Sequence, residues 1–398
     1  MLTNKDKQEL TELIRTDMSF LKVTNCRCCG LCVSNWPDEQ RCVISTLKQG
    51  AQINCRGLNS VMKNIIDEQI EYPEDAEEMI FRCATCFLCK ERCSEHIDPC
   101  DYIHKLRVEL VDRGQAPKSY MEVFKSIEKN GNVWGGVREE RMDWAKGLSV
   151  PTVDENPDFE YLLFVCDASA YNPRNQKTAK AFVEILNKTG INFAVLGNKE
   201  QTSGNEAFRM GEEGLFEDIA TENIEIFREY GVKKILTLSP HGYDALKNEY
   251  PKIDDSWDIE VLHSTEFLHK LLTEGKLNFK KEVKKKITYH DPCYIGRHNG
   301  IYDAPREVMK AIPGVEFVEM PYNKKTAVCC GGGGGGIFMQ RGEGIVVETL
   351  RYEQAKETGA QVLSVACPVC MQMFEAENEN SNGAIEIKDI IELVAEAL

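Results

Sequence analysis

The strongest constraint in this chain is an internal repeat in its C-terminal two-thirds. Cys166 precedes Thr202-Ser203-Gly204 by the interval that separates Cys293 from Cys329-Cys330-Gly331. Further on, Ser239-Pro240-His241-Gly242 falls opposite Cys367-Pro368-Val369-Cys370. From Asp158 onward the pattern alternates strand and helix, which predicts parallel sheets. Candidate strands are Tyr161–Val165, Asn192–Leu196, Lys234–Leu238, Ile287–His290, Glu316–Glu319 and Gln361–Val365, with helices at Thr178–Asn187, Glu217–Tyr230 and Gly344–Thr358. Two related units, 158–280 and 281–398, packed face to face, are the expected architecture. The first keeps one cysteine where the second has five, so the second is expected to carry the chemistry.

Five thiolates, Cys293, Cys329, Cys330, Cys367 and Cys370, exceed the needs of zinc or of a simple cubane. They suit an irregular cluster, or a cubane with one cysteine free to react. The adjacent pair Cys329-Cys330 is expected to reach different metal atoms and to be the catalytic pair. Gly331 to Gly336 form an unbroken glycine run. No Lys-Ser/Thr follows as in a P-loop, so close backbone approach, with amides turned toward cluster sulfides, is favoured over a phosphate cradle. His290, Asp291, Arg297 and His298 bracket Cys293 and are candidates to deliver protons or bind an anionic group.

Residues 1–115 carry the other cysteine sets. Residues 83–93 read C-x2-C-x2-C-x3-C, the spacing by which one tight loop wraps three corners of a [4Fe–4S] cube. Cys26, Cys29 and Cys32 repeat the first part of that spacing, but Trp36-Pro37 stands where the fourth cysteine belongs. By the crossed pattern, Cys93 completes the set of Cys26, Cys29 and Cys32. The set of Cys83, Cys86 and Cys89 then needs another ligand. Cys42 lies nearest the displaced position, with Cys55 and Cys100 as substitutes, and Cys28 reads as a bystander or a ligand to something unusual, not as a member of the ordinary set. Helical spacing at Asn59–Gln69 and Asp101–Asp112 separates this region from a compact two-cluster ferredoxin, whose motifs sit on short hairpins. Residues 116–157 read as a packed connector that includes a helix at Ser119–Lys129 and retains Trp134 and Trp144.

Composition narrows the function classes. Seventeen cysteines in 398 residues, grouped in short-spaced sets, point to metal binding in a reducing compartment and not to disulfides. A net charge of −16 opposes nucleic-acid binding. The one basic run, Lys276 to Lys286, reads as a solvated linker face. The first residues form a charged amphipathic helix with no apolar run after it, and no stretch is apolar enough to span a bilayer. A cytoplasmic location is expected, with peripheral docking on a membrane partner open.

The stretches CATCFLCKERC, TYHDPCYIGR, CCGGGGG and ACPVC resemble the cysteine-rich "CCG" family of heterodisulfide reductase. The layout resembles its D-type subunit and is similar to the glycolate oxidase iron–sulfur subunit and to iron–sulfur oxidoreductases associated with electron-transfer flavoproteins. The resemblance implies an α+β multidomain fold, with an N-terminal helical ferredoxin-like domain ahead of two repeated α/β CCG domains. It also implies that Cys293, Cys329, Cys330, Cys367 and Cys370 hold a catalytic-type cluster. The family's two facing clusters are not matched, because the first copy offers Thr202, Ser203, Ser239 and Gly242 at ligand positions.

The expected function is an electron-transfer subunit of a heterodisulfide-reductase-like complex, with two N-terminal [4Fe–4S] clusters and one [4Fe–4S]-type or noncubane C-terminal cluster. Expected partners are a flavoprotein, a ferredoxin or a membrane cytochrome subunit. A disulfide reductase acting on a small thiol or disulfide, and a cluster scaffold or delivery protein, are the alternatives. No flavin or nicotinamide fingerprint is present, so any hydride chemistry belongs to a partner.

Overall fold

The computed structural model describes residues 2–33, 42, 54–339 and 347–398. Strands β1 (Tyr161–Phe164), β2 (Phe193–Ala194), β3 (Lys234–Thr237) and β4 (Glu260–His263) form one parallel sheet in the order β2-β1-β3-β4. Strands β5 (Lys286–Tyr289), β6 (Glu316–Phe317), β7 (Val362–Val365) and β8 (Glu386–Asp389) form a second with the same topology, β6-β5-β7-β8. Central strands β1 and β7 are buried at every position, as their continuous Tyr-Leu-Leu-Phe and Val-Leu-Ser-Val runs require when helices cover both faces.

The repeat is therefore structural as well as sequential, and the two units face each other across matching helices. Pro173–Lys188 of the first packs against Ile390–Ala397 of the second, and Ser264–Thr273 packs in the same way against Asp303–Ala311. Arg174 pins this face, bridging to Glu375 and bidentately to Glu392.

Two strands escaped sequence reading. Glu260–His263 and Glu386–Asp389 are edge strands that open on the exposed Glu260 and Glu386 and alternate buried with less buried positions, so they lack the apolar run of their neighbours. At the opposite edges, Asn192–Leu196 shrinks to Phe193–Ala194 because Gly197–Lys199 turns the chain, and Glu316–Glu319 shrinks to Glu316–Phe317. The predicted Gly344–Thr358 helix appears as Val347–Glu357; its first residues, like Trp36-Pro37, lie outside the described set.

The N-terminal region is helical, with Asn4–Thr16, Cys55–Ile66, Ala76–Arg82 and Pro99–Asp112 packed on apolar faces. Residues 116–157 contribute to the core. Trp144 is buried, and Tyr120, Val123, Phe124 and Ile127 of Lys118–Asn130 join the core shared by the helical region and the first sheet unit. In the basic run, Lys276, Lys284, Lys285 and Lys286 pair with Glu274, Glu282, Glu386 and Glu316. Among the described residues, no helix is long and apolar enough to cross a membrane.

Candidate metal centre

Three groups of thiols adjoin in succession. The first surrounds a cavity of about 410 Å³ bordered by Cys26, Cys28, Cys29, Cys32, Cys89 and Cys93. Cys29 is exposed, so this group is open to solvent. Cys26, Cys29, Cys32 and Cys93 are thus brought together, the set the crossed pattern selects. Cys28 borders the same cavity in a left-handed conformation, and its amide donates to Cys26 Sγ at 3.4 Å.

The second group borders a cavity of about 380 Å³ with Cys83, Cys86 and Cys89 on its wall. All three substitutes for the missing ligand, Cys42, Cys55 and Cys100, border it too. Cys32 and Cys89 belong to both cavities, so the two sites are immediate neighbours. Burial and contact shape the thiols: Cys100 and then burial drive the Cys83 thiol upward, whereas Cys100 and Cys55 lower that of Cys89.

The third group is the repeat's five cysteines, all buried. Strand ends and helix starts deliver them. Cys293 follows β5, and Cys367 caps the helix Pro368–Asn380 with the Cys370 amide 3.5 Å from its sulfur. Cys330 Sγ and Cys370 Sγ are 3.3 Å apart, Cys329 interacts with both Cys293 and Cys330, and Cys370 interacts with Cys367. His290, Cys330 and Cys370 place ligand atoms within 4.8 Å of one another. Soft thiolates converging in a buried pocket are the donor set that iron–sulfur clusters require, and the residues present fit that group.

The second and third groups touch. Cys86 and Cys329 interact directly, and that contact is the main reason the Cys86 thiol falls to about 5, with Arg297 contributing after it. The loop around Cys86 is seated on the last unit by specific bonds. Tyr294 Oη and Thr85 Oγ1 are 2.9 Å apart, His298 Nε2 lies 2.8 Å from the Thr85 carbonyl, and Phe87 stacks on His298 at 3.9 Å.

The glycine run makes this seating. A Cβ on Gly334 would lie 2.5 Å from the Cys83 carbonyl, and one on Gly333 would lie 2.8 Å from that of Ala84. The run thus serves close backbone approach, and the Gly331 amide donates to Cys329 Sγ at 3.3 Å. Gly334→Ala, at φ +56°, is expected to cost about 2 kcal/mol or more. A thermal melt would show this as a fall in Tm, and an unchanged Tm would count against the packing described.

In the first unit the same loop ends converge on Cys166 without thiols. Its Sγ lies 3.3 Å from Thr237 Oγ1, and a Cβ on Gly242 would lie 2.8 Å from that sulfur. Cys166→Ser is expected to leave iron content unchanged and to shift stability by less than about 1 kcal/mol, because a hydroxyl can keep the Thr237 bond. Iron analysis of the variant checks this, and loss of iron would reveal a cluster in this half. A cleft of about 590 Å³ separates this region from the glycine run, bordered by Ser203, Ser239, His241, Gly332 and Phe338.

Of the residues bracketing Cys293, His290 and Arg297 face thiols, while two others are structural. Asp291 forms a bidentate pair with Arg306 at 2.7 and 2.8 Å, and His298 bridges Thr85 and Asp244. Sequence reading missed His241. It lies 3.3 Å from Glu206, interacts with Cys367, and stacks on Tyr294 at 4.3 Å. Burial opposes its protonation, but Cys367 and Glu206 together push it well above the usual imidazole range. Its place opposite Val369 in the repeat was the available signal.

Comparison with known proteins agrees with this geometry. The cysteine-rich domain model CCG matches residues 164–247 and 287–375, one match per sheet unit. The chain is 40% identical over 81% of its length to a Bacillus subtilis protein named "Probable iron-sulfur-binding oxidoreductase FadF", covering 47% of that protein. It is 35% identical over 82% of its length to an EtfAB:quinone oxidoreductase of Syntrophomonas wolfei, covering 48% of it. The chain thus spans about half the length of these two relatives. With the D-type subunit of the dihydromethanophenazine:CoB–CoM heterodisulfide reductase of Methanosarcina barkeri it shares 33% identity over 82% of its own length and 79% of the relative's. Carrying both cysteine-rich units and these relatives, the chain belongs to the CCG-domain iron–sulfur oxidoreductase family that includes the D-type subunit of heterodisulfide reductase.

Proposed function

We propose that this protein is the electron-relay part of an oxidoreductase complex, with two [4Fe–4S] clusters in a ferredoxin-like region over residues 1–115 and a third in residues 281–398. The observation that carries the reading is the successive contact of the three thiol groups. Cys32 and Cys89 are shared walls between the first two, and Cys86 meets Cys329 between the last two. When bound, the clusters would supply reversible one-electron chemistry.

The chain's residues do the rest. Cys26, Cys29, Cys32 and Cys93 hold the solvent-facing end, where a partner can approach at the exposed Cys29. Cys83, Cys86 and Cys89, with Cys42 as our choice of fourth ligand, hold the middle. Cys293, Cys329, Cys330, Cys367 and Cys370 hold the buried end. Residues 116–157 connect these parts, and residues 158–280 form a cluster-free unit. One relative's name joins EtfAB to a quinone and another's joins dihydromethanophenazine to the CoB–CoM heterodisulfide, which supports redox partners; for this chain we take these to be a flavoprotein, a ferredoxin or a membrane cytochrome subunit, met in the cytoplasm or at a membrane surface.

A mediator-poised EPR titration with and without added thiol or disulfide tests the reading. A relay predicts a C-terminal signal that neither addition alters. A signal changed by either would replace the relay with disulfide reduction, for which the cleft beside Gly332 and Val369 provides access.

A further inference from the structure

Arg297 is buried, with 7% of its surface exposed, in the seam between the second and third thiol groups. Its Nε donates to the Cys86 carbonyl at 2.5 Å, on the middle group's loop. Its Nη1 donates to the Ala327 carbonyl at 2.7 Å, two residues before Cys329. Nη2 is equally buried and has no hydrogen-bond partner among the described residues. No described carboxylate forms an ion pair with Arg297; its charge acts on Cys86, Cys293 and Cys329, in that order.

A buried guanidinium with an idle donor is costly unless it faces negative charge. Among the described residues, the groups its charge acts on first are the thiols of Cys86, Cys293 and Cys329, with the Tyr302 hydroxyl after them. A fixed cation in a low-dielectric seam favours each added electron on either side of it. The guanidinium keeps its charge throughout, so no proton moves with the electron.

We propose that Arg297 is the shared counter-charge of the middle and C-terminal clusters, donating from Nη2 to cluster sulfur and raising both reduction potentials. The proposal rests on the relay reading above. Each cluster takes one electron, no bond forms or breaks, and the added charge is offset by the same guanidinium on both sides. Arg297 is a positioning residue, bridging two centres whose ligands lie some two hundred residues apart in the chain.

The test is an EPR-monitored redox titration, poised with dithionite and mediators, of the anaerobically purified full chain and of Arg297→Met. Iron and acid-labile sulfide are measured on both. We expect full iron and a fall in both inner potentials. At the wild-type midpoints the oxidised-to-reduced ratio should rise at least tenfold, or about 59 mV for a one-electron couple. The cluster of Cys26, Cys29 and Cys32 should keep its potential. Unchanged inner potentials, or an equal shift of all three centres, would overturn the proposal, as would a lower melting temperature without a shift in potential. If Arg297→Met loses iron, Arg297→Gln, neutral but able to donate one hydrogen bond, carries the same test with the same expected fall. A wild-type chain without iron would remove the relay reading itself and would be seen before any variant is compared.

Discussion

Cys330→Ala is expected, if the proposed three clusters are present, to yield a chain that keeps about two-thirds of its iron and both N-terminal cluster signals while losing the C-terminal one. The selectivity follows from where Cys330 sits. It is 3.3 Å from Cys370 Sγ, interacts with Cys329, and shares a pocket with His290. Its place in the chain is fixed by Cys329 on one side and the glycine run on the other. The middle group touches the C-terminal one through Cys329 and not through Cys330, so its own ligand set stays intact. Iron analysis and EPR of the purified variant read the result. Loss of every cluster signal would mean that the three groups assemble as one unit. Retention of full iron would mean that Cys330 is no ligand.

The second large effect lies away from any thiol. Arg107→Met is expected to destabilise the protein by about 4 kcal/mol or more, a large part of a typical domain's stability. Arg107 is wholly buried and fans out to five carbonyls. It reaches Ile80 and Phe81 of the helix Ala76–Arg82 and Cys83 just after it at 2.6 to 3.1 Å, Gly334 in the glycine run at 2.9 Å, and Arg209 of the first sheet unit at 2.6 Å. A methionine fills the volume and strands those acceptors in a dry interface, at about 1–3 kcal/mol for each that finds no water. The helical region and both sheet units meet at this one guanidinium, so the loss falls on their docking as well as on local packing. Differential scanning fluorimetry should show a drop of roughly 8 °C or more. A shift of a degree or two would mean that the interface reorganises and that Arg107 is no hub.

The two predictions divide along a line that also separates what the sequence made legible from what it hid. The repeat, the central strands and the grouping of the cysteines were readable, because parallel strands buried on both faces and short ligand spacings leave strong local marks. The edge strands Glu260–His263 and Glu386–Asp389 were not, since one exposed side replaces the apolar run with charge. Arg107 carried no mark at all. Its partners are main-chain oxygens from three separate stretches, which no spacing rule relates to one arginine. His241 was visible only as a residue opposite Val369, and its approach to Cys367 depends on how the two units face each other. The same holds for the contact of Cys86 with Cys329, which joins motifs read separately. Contacts between distant segments are products of docking, and docking leaves little trace in local pattern.

Iron and acid-labile sulfide per chain, measured on anaerobically purified protein alongside its EPR spectrum, test the central claim most directly. Three adjoining centres predict about twelve irons and a comparable sulfide content, with mutual broadening of signals as neighbouring centres become reduced together. About eight irons with no C-terminal signal, or zinc in place of iron, would contradict it.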